Sequence, residues 1–177
     1  MRVTLRMLSI AFDYPRGELK EMVGKREFIR RLIESEDKRV AEEFYRFLES
    51  LNPETLEEDY TSVFEVPPKC SLYAHTYLLK GKEDLVGQFL LEVKGHYKLA
   101  GLDVPVKREL PTYLPVMLEF LSIAVDISPE EAARFARRYL KPWVGELERC
   151  LERNRSPWAR AAKALRLAIE SLANPNR

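Results

Sequence analysis

Between Glu36 and Leu51 the apolar residues Val40, Phe44, Phe47, Leu48 and Leu51 recur at intervals of three and four, the spacing that gathers side chains on one face of an α-helix. Leu85, Phe89, Val93 and Tyr97, flanked by Val86, Leu90 and Ala100, repeat it over residues 82–100, and Gly101 stands where a C-terminal cap belongs. Tyr113 to Val125 is different: Glu119 and Ser122 are its polar residues, so this helix is predicted to run through the centre of a bundle. Glu119 must then be hydrogen-bonded, paired or protonated, and a bond to the backbone of a neighbouring loop is expected over contact with a bound partner.

The punctuation is helical too. Asn52-Pro53, Ser128-Pro129 and Ser156-Pro157 each offer a side-chain acceptor followed by a proline at the first helical position, and Glu131 would complete a capping box with Ser128. Thr112 is read as the N-cap of the apolar helix, with Pro115 at its third position. Helices are expected near 3–13, 18–33, 36–51, 53–64, 82–100, 113–126, 129–153 (broken near Pro142) and 157–173, with no alternating strand. The fold class is therefore all-α, a single domain over residues 1–177 built as a bundle of about eight helices. The stretch Glu65 to Gly81 holds Pro67-Pro68 and then Leu72, Tyr73, Tyr77, Leu78 and Leu79, which is too apolar for a solvated loop; it should be partly buried or meet a partner. The polar end Asn174-Pro175-Asn176-Arg177 is expected to fray.

Composition narrows the class further. The chain has 177 residues, 46% of them hydrophobic, with Lys+Arg 29 against Asp+Glu 28 and a net charge of +1. These values exclude a disordered chain and a strongly basic nucleic-acid binder, and no apolar run approaches a membrane span. Cys70 and Cys150 are too few for a disulfide framework and read as ordinary buried cysteines; with no secretory or transit segment, a cytoplasmic protein is expected. One glutamine beside abundant Arg, Lys and Glu is the bias of a heat-adapted source. Charge is unevenly spread: residues 129–177 carry +5 and the rest −4. Arg134, Arg137, Arg138 and the basic residues after them lie at helical spacing from Glu146, Glu148 and Glu152, so they read as a solvated, ion-paired face and not as a phosphate-binding one.

Catalytic chemistry is sparse. Cys70, His75, His96 and Cys150 are the soft ligands, and none stands in a C-x-x-C or H-E-x-x-H spacing. There is no G-x-S-x-G elbow, P-loop or G-x-G-x-x-G, so neither a metal, a cofactor nor an enzymatic activity is expected. Two constellations stand out. Glu54, Glu57, Glu58, Asp59 and Glu65 form an acidic stretch on a helix whose other side carries Leu56, Tyr60 and Phe64. Glu109-Leu110-Pro111-Thr112-Tyr113-Leu114-Pro115 leads into the apolar helix. An acidic rim beside an apolar groove suits a peptide with a basic start followed by hydrophobic residues.

Tyr60-Thr61-Ser62-Val63-Phe64, Gly87-Gln88, Tyr97, Gly101-Leu102, the run Glu109 to Leu121, Pro142-Trp143 and Ser156-Pro157-Trp158 together resemble the TorD/DmsD/NarJ family of redox-enzyme maturation chaperones. The likeness spans roughly residues 55–170 and is closest to the nitrate reductase assembly (delta subunit) branch. It implies an all-helical cytoplasmic chaperone that binds the N-terminal segment, often a twin-arginine leader, of a molybdopterin oxidoreductase catalytic subunit until its cofactor is inserted. The implied peptide-binding residues are Glu58, Tyr60, Phe64, Leu72, Tyr73, Glu109, Leu110, Pro111, Thr112, Tyr113 and Leu114. Thr112 and Tyr113 stand where the family motif has Asp-His, and Thr76 and Tyr77 where the delta branch tends to carry Glu-His. Thr112 would keep the capping acceptor while removing a negative charge. Guanine-nucleotide binding, and a scaffold that uses the basic C-terminal face, are the alternative functions; a monomer or a domain-swapped dimer is expected, without membrane insertion.

Overall fold

The computed structural model describes residues 1–101 and 109–174, so Leu102 of the Gly101-Leu102 pair and the terminal Pro175, Asn176 and Arg177 lie outside the described residues. Eleven α-helices are found among the described residues: α1 (Arg2–Phe12), α2 (Glu18–Gly24), α3 (Arg26–Glu34), α4 (Lys38–Ser50), α5 (Leu56–Phe64), α6 (Ala74–Leu78), α7 (Val86–Leu99), α8 (Leu114–Ile127), α9 (Pro129–Phe135), α10 (Val144–Arg153) and α11 (Trp158–Ala173). The all-α class is as expected, and the higher count has local causes. The segment 18–33 divides at Lys25, whose amide turns back to the carbonyls of both Glu21 and Met22 and starts a second helix. The 129–153 segment passes through a wider π-type turn at Ala136–Leu140 before Pro142 ends it. Gly101 caps α7 with φ +72°, a conformation that costs glycine no Cβ clash.

Caps divide between expectation and correction. Ser156 Oγ accepts from the Trp158 amide at 3.2 Å, as its position before α11 implies. Asn52 Oδ1 instead accepts from Glu54 N in a turn, and α5 begins at Leu56 rather than 53. Ser128 forms no side-chain cap, so the capping box is not made; the Glu131 carboxylate is drawn to Arg134 at 3.1 Å instead.

α8 runs along α1, α11 packs against both α4 and α10, and α3 pairs with α4. Leu5, Leu8 and Phe12 of α1, Phe44 and Phe47 of α4, Leu114, Leu118 and Leu121 of α8, and Trp158, Leu165 and Ile169 of α11 are fully buried in one connected core. The alanines at 161, 162, 164 and 168 let α11 approach its neighbours closely. Two buried polar bonds fix the layers: Trp158 Nε1 donates to the Ala11 carbonyl at 2.7 Å, and Ser9 Oγ to the Pro115 carbonyl at 3.0 Å. No helix among the described residues is long and apolar enough to cross a membrane.

Much of the basic C-terminal region is paired, mostly with residues of other helices and not through helical-neighbour spacing to Glu146, Glu148 and Glu152. Glu43 of α4 accepts from Arg160 at 3.0 Å and Lys163 at 2.8 Å, while Arg166 bonds Glu148 and Glu170. Arg138 pairs with Glu92 of α7, and Glu146 with Lys80. Helix-to-helix packing selects these pairs, except Arg166–Glu170, which is an i,i+4 neighbour pair within α11.

A larger correction concerns the cysteines. Cys70 and Cys150 are joined in a disulfide, their Cα atoms 5.9 Å apart. The fold lays the 65–73 segment against α10, and 80 residues of separation hide that contact from any spacing argument. The segment itself is partly buried, as its apolar content requires: Cys70, Leu72 and Ala74 are interior and Tyr73, Tyr77 and Leu78 half-buried.

Candidate functional site

The start of α8 is held by a second segment of chain. Tyr73 and Tyr113 form an isolated antiparallel bridge, in which Ala74 N donates to the Thr112 carbonyl at 2.9 Å and Leu114 N to the Leu72 carbonyl at 2.8 Å. The bridge keeps the backbone extended to Tyr113 (φ −68°, ψ 127°), so Tyr113 is the N-cap and Pro115 the second helical residue. Of the first amides of α8, one is satisfied by Leu72 and the next is absent because Pro115 has none. The N-cap role expected of Thr112 is thus superseded: its Oγ1 meets His75 Nδ1 at 2.7 Å. Tyr97 Oη donates to the Pro111 carbonyl at 2.6 Å and completes the clamp on this motif.

A chain of hydroxyls leads from the motif to the surface. Tyr60 Oη donates to the Phe12 carbonyl at 2.9 Å and lies 3.1 Å from Tyr113 Oη, which in turn lies 3.4 Å from Asp13 Oδ1. With the Tyr60 proton given to Phe12, Tyr113 supplies the proton toward Tyr60 or Asp13. Burial, reinforced by Tyr60 and the Asp13 and Glu109 carboxylates, pushes the Tyr113 hydroxyl far above its ordinary range, so it stays a neutral donor. Tyr73 packs its ring 5.3 Å from that of Tyr113 and donates to Glu109 Oε2 at 3.0 Å; burial first, and then that bond, raise it to about 12. Behind them Tyr60 contacts Phe64, Trp158 and Tyr14.

In front of Tyr113 lies a cleft of about 180 Å³ between α1, the start of α2 and the start of α8. Asp13, Glu18, Glu109 and Glu119 line it together with Arg6, and Ile10 and Val116 give it an apolar side. Glu119 is 57% exposed and pairs with Arg6 at 2.7 Å, which replaces the expected bond to a loop backbone: the residue faces outward toward α1. Asp13, Glu18 and Glu109 form no ion pair with a described Lys or Arg, so the cleft is negative.

The residues singled out in the sequence fall into three groups. Tyr113 and Glu109 line the cleft; Tyr73 lies beside it, bonded to Glu109 and packed on Tyr113, and Tyr60 is hydrogen-bonded behind Tyr113. Leu72, Pro111, Thr112 and Leu114 are buried beneath it, and Phe64 is half-buried against Tyr60. Glu58 is exposed on α5 and Leu110 is 40% exposed beside Glu109; neither lines the cleft. Sequence reasoning missed Asp13, Glu18, Ile10 and Val116. Asp13 and Glu18 flank the turn between α1 and α2, and no local pattern ties them to a motif some hundred residues away. Among the described residues no group of three or more His, Cys, Asp or Glu is placed to hold a metal ion.

Comparison with known proteins places the chain in a family. The chain is 32% identical to the "Probable nitrate reductase molybdenum cofactor assembly chaperone NarJ" of Bacillus subtilis (strain 168), across 97% of this chain and 90% of that protein. Its fold is similar to that of a "Putative Redox Enzyme Maturation Protein" from Archaeoglobus fulgidus, with a TM-score of 0.68 and 24% identity, covering 96% of this chain and 94% of the other. The family model described as "Nitrate reductase delta subunit" matches residues 31–163, which include the bridge, the tyrosines and Glu109. The chain belongs to the nitrate reductase delta subunit family.

Proposed function

We propose that this protein is a cytoplasmic assembly chaperone, not an enzyme, that binds the N-terminal segment of a molybdopterin oxidoreductase catalytic subunit and holds it for cofactor insertion. The observation that carries the reading is the carboxylate-lined cleft at Tyr113, with Asp13, Glu18 and Glu109 unpaired among the described residues and Ile10 and Val116 beside them. A segment with a basic start and an apolar continuation, such as a twin-arginine leader, is complementary to it. Relatedness to a chaperone named for molybdenum cofactor assembly supports the client class.

In this account Glu109, Asp13 and Glu18 receive the cations of the client. Tyr73 and Tyr113 present neutral hydroxyls and ring edges, and Tyr60, Leu72, Thr112 and Leu114 hold these groups from behind. Phe64 and Pro111 complete the packing, while Leu110 and Glu58 extend the surface outward. Binding favours the immature client, so folding of the client around its cofactor withdraws the segment and releases the chaperone. Recovery of the tagged chain from its native host tests this: a large molybdoenzyme subunit should accompany it and be lost with the Asp13→Asn, Glu18→Gln, Glu109→Gln variant. Recovery of the chain without any such subunit contradicts it.

A further inference from the structure

We propose that Cys70–Cys150 is a reversible redox site that latches the segment carrying Tyr73 to the body of the protein. The bond joins the middle of the 65–73 segment to the outer part of α10. Leu72 is buried in the core, and Asn154 Nδ2, just past α10, reaches Cys70 Sγ at 3.6 Å. Before the Tyr73–Tyr113 bridge, the backbone of the same segment is held by the amides of Lys69 and Cys70, both bonded to the Val63 carbonyl at the end of α5, and by Tyr77 Oη, which donates to the Ser71 carbonyl. Those bonds tie it to its own neighbours in sequence. The disulfide ties it to α10, 80 residues away.

The two sulfurs differ in access. Cys70 is 2% exposed, whereas Cys150 is half-buried between exposed Arg149 and Arg153 on the last turns of α10. A dithiol reductant therefore attacks Cys150 Sγ: the S–S bond breaks, a mixed disulfide forms on Cys150 and Cys70 leaves as thiolate. The second thiol of the reductant then displaces Cys150. Two electrons pass to the protein, both cysteines take up protons, and the reductant ends as its own disulfide. Opening frees residues 65–72 from α10 and loosens the bridge that sets Tyr73 against Tyr113 and Glu109.

The experiment uses the full chain, oxidised or treated with dithiothreitol without denaturant, and counts thiols before hydrogen exchange is followed amide by amide. Two thiols should appear, and the amides of Lys69, Cys70, Ala74 and Leu114 should exchange about tenfold faster through an opening that low denaturant leaves unchanged, the mark of a local event, whereas interior amides of α1 and α11 follow global stability. The Cys70→Ser, Cys150→Ser variant should reproduce the fast pattern without reductant. The proposal is overturned if no thiol appears, or if those four amides exchange no faster in the opened protein than in the oxidised one, or do so only through the denaturant-dependent global unfolding that α1 and α11 report.

Discussion

The hydroxyl oxygens of Tyr60 and Tyr113 lie 3.1 Å apart inside the protein, joining two residues 53 positions apart and linking the end of α1 to the start of α8. Removing the Tyr113 hydroxyl with Tyr113→Phe should cost about 1 kcal/mol. Tyr60→Phe should cost about 2 kcal/mol, because the Phe12 carbonyl loses its donor as well. Chemical denaturation of both single variants and the double variant should give a coupling of about 0.5–1 kcal/mol. Strict additivity would mean that the hydroxyls do not interact.

Thr112 and His75 offer a second test. Burial lowers the His75 imidazole below its ordinary value of 6.5, and its Nδ1 contacts an uncharged hydroxyl. A lowered histidine favours the folded state above pH 6.5, and that contribution disappears as pH falls through its folded value. Thr112→Asp places a carboxylate at the contact and should raise the imidazole above 6.5. The sign then reverses: the added stability is present at low pH and is lost as pH rises through the new value. NMR titration of the His75 ring in both proteins checks this, and an unchanged titration contradicts it.

Acid sensitivity should also come from two glutamates. Burial alone would raise Glu43, but hydrogen bonds and charge from Lys163 and Arg160 outweigh it and leave the carboxyl below 4.5. Glu36 behaves alike: burial raises it, while the Met1 N-terminus, Thr4 and Val3 more than compensate. Lowered carboxyls stabilise the fold above the usual carboxylate range, and that stability falls away as pH drops below about 4.5. Glu43→Gln should cost about 1–2 kcal/mol at neutral pH, a modest value because both cations remain half in water. Thermal melts between pH 6 and 3 should fall less steeply for this variant than for the parent.

Loss of the disulfide should lower global stability. Closing a loop of this length restricts the unfolded chain, so Cys70→Ser, Cys150→Ser should cost about 2–4 kcal/mol in denaturant titration. A change below about 0.5 kcal/mol would mean that packing alone already positions α10.

Where the periodic signal is local, the sequence was legible. Val40, Phe44, Phe47 and Leu48 mark the buried face of α4, Gly101 ends α7, and the break near Pro142 falls after the π-type turn. The motif around Tyr113 was recognisable, but its purpose as a clamp was not, because Leu72 and His75, Tyr97, and Ser9 reach it from three separate stretches of chain. The same limit applies to Cys70–Cys150 and to Asp13 and Glu18. Each depends on which distant segments meet, a property of packing that no window of neighbouring residues encodes. Lys25 is a smaller case: it divides α2 from α3 without a proline to announce it.

The most direct measurement is titration calorimetry of the full chain with a synthetic peptide of two arginines followed by an alanine- and leucine-rich run. The account predicts binding with a negative heat-capacity change, weakened by 0.5 M salt and by about tenfold or more in the Asp13→Asn, Glu18→Gln, Glu109→Gln variant. Absence of binding, or binding indifferent to both salt and the three carboxylates, would contradict it.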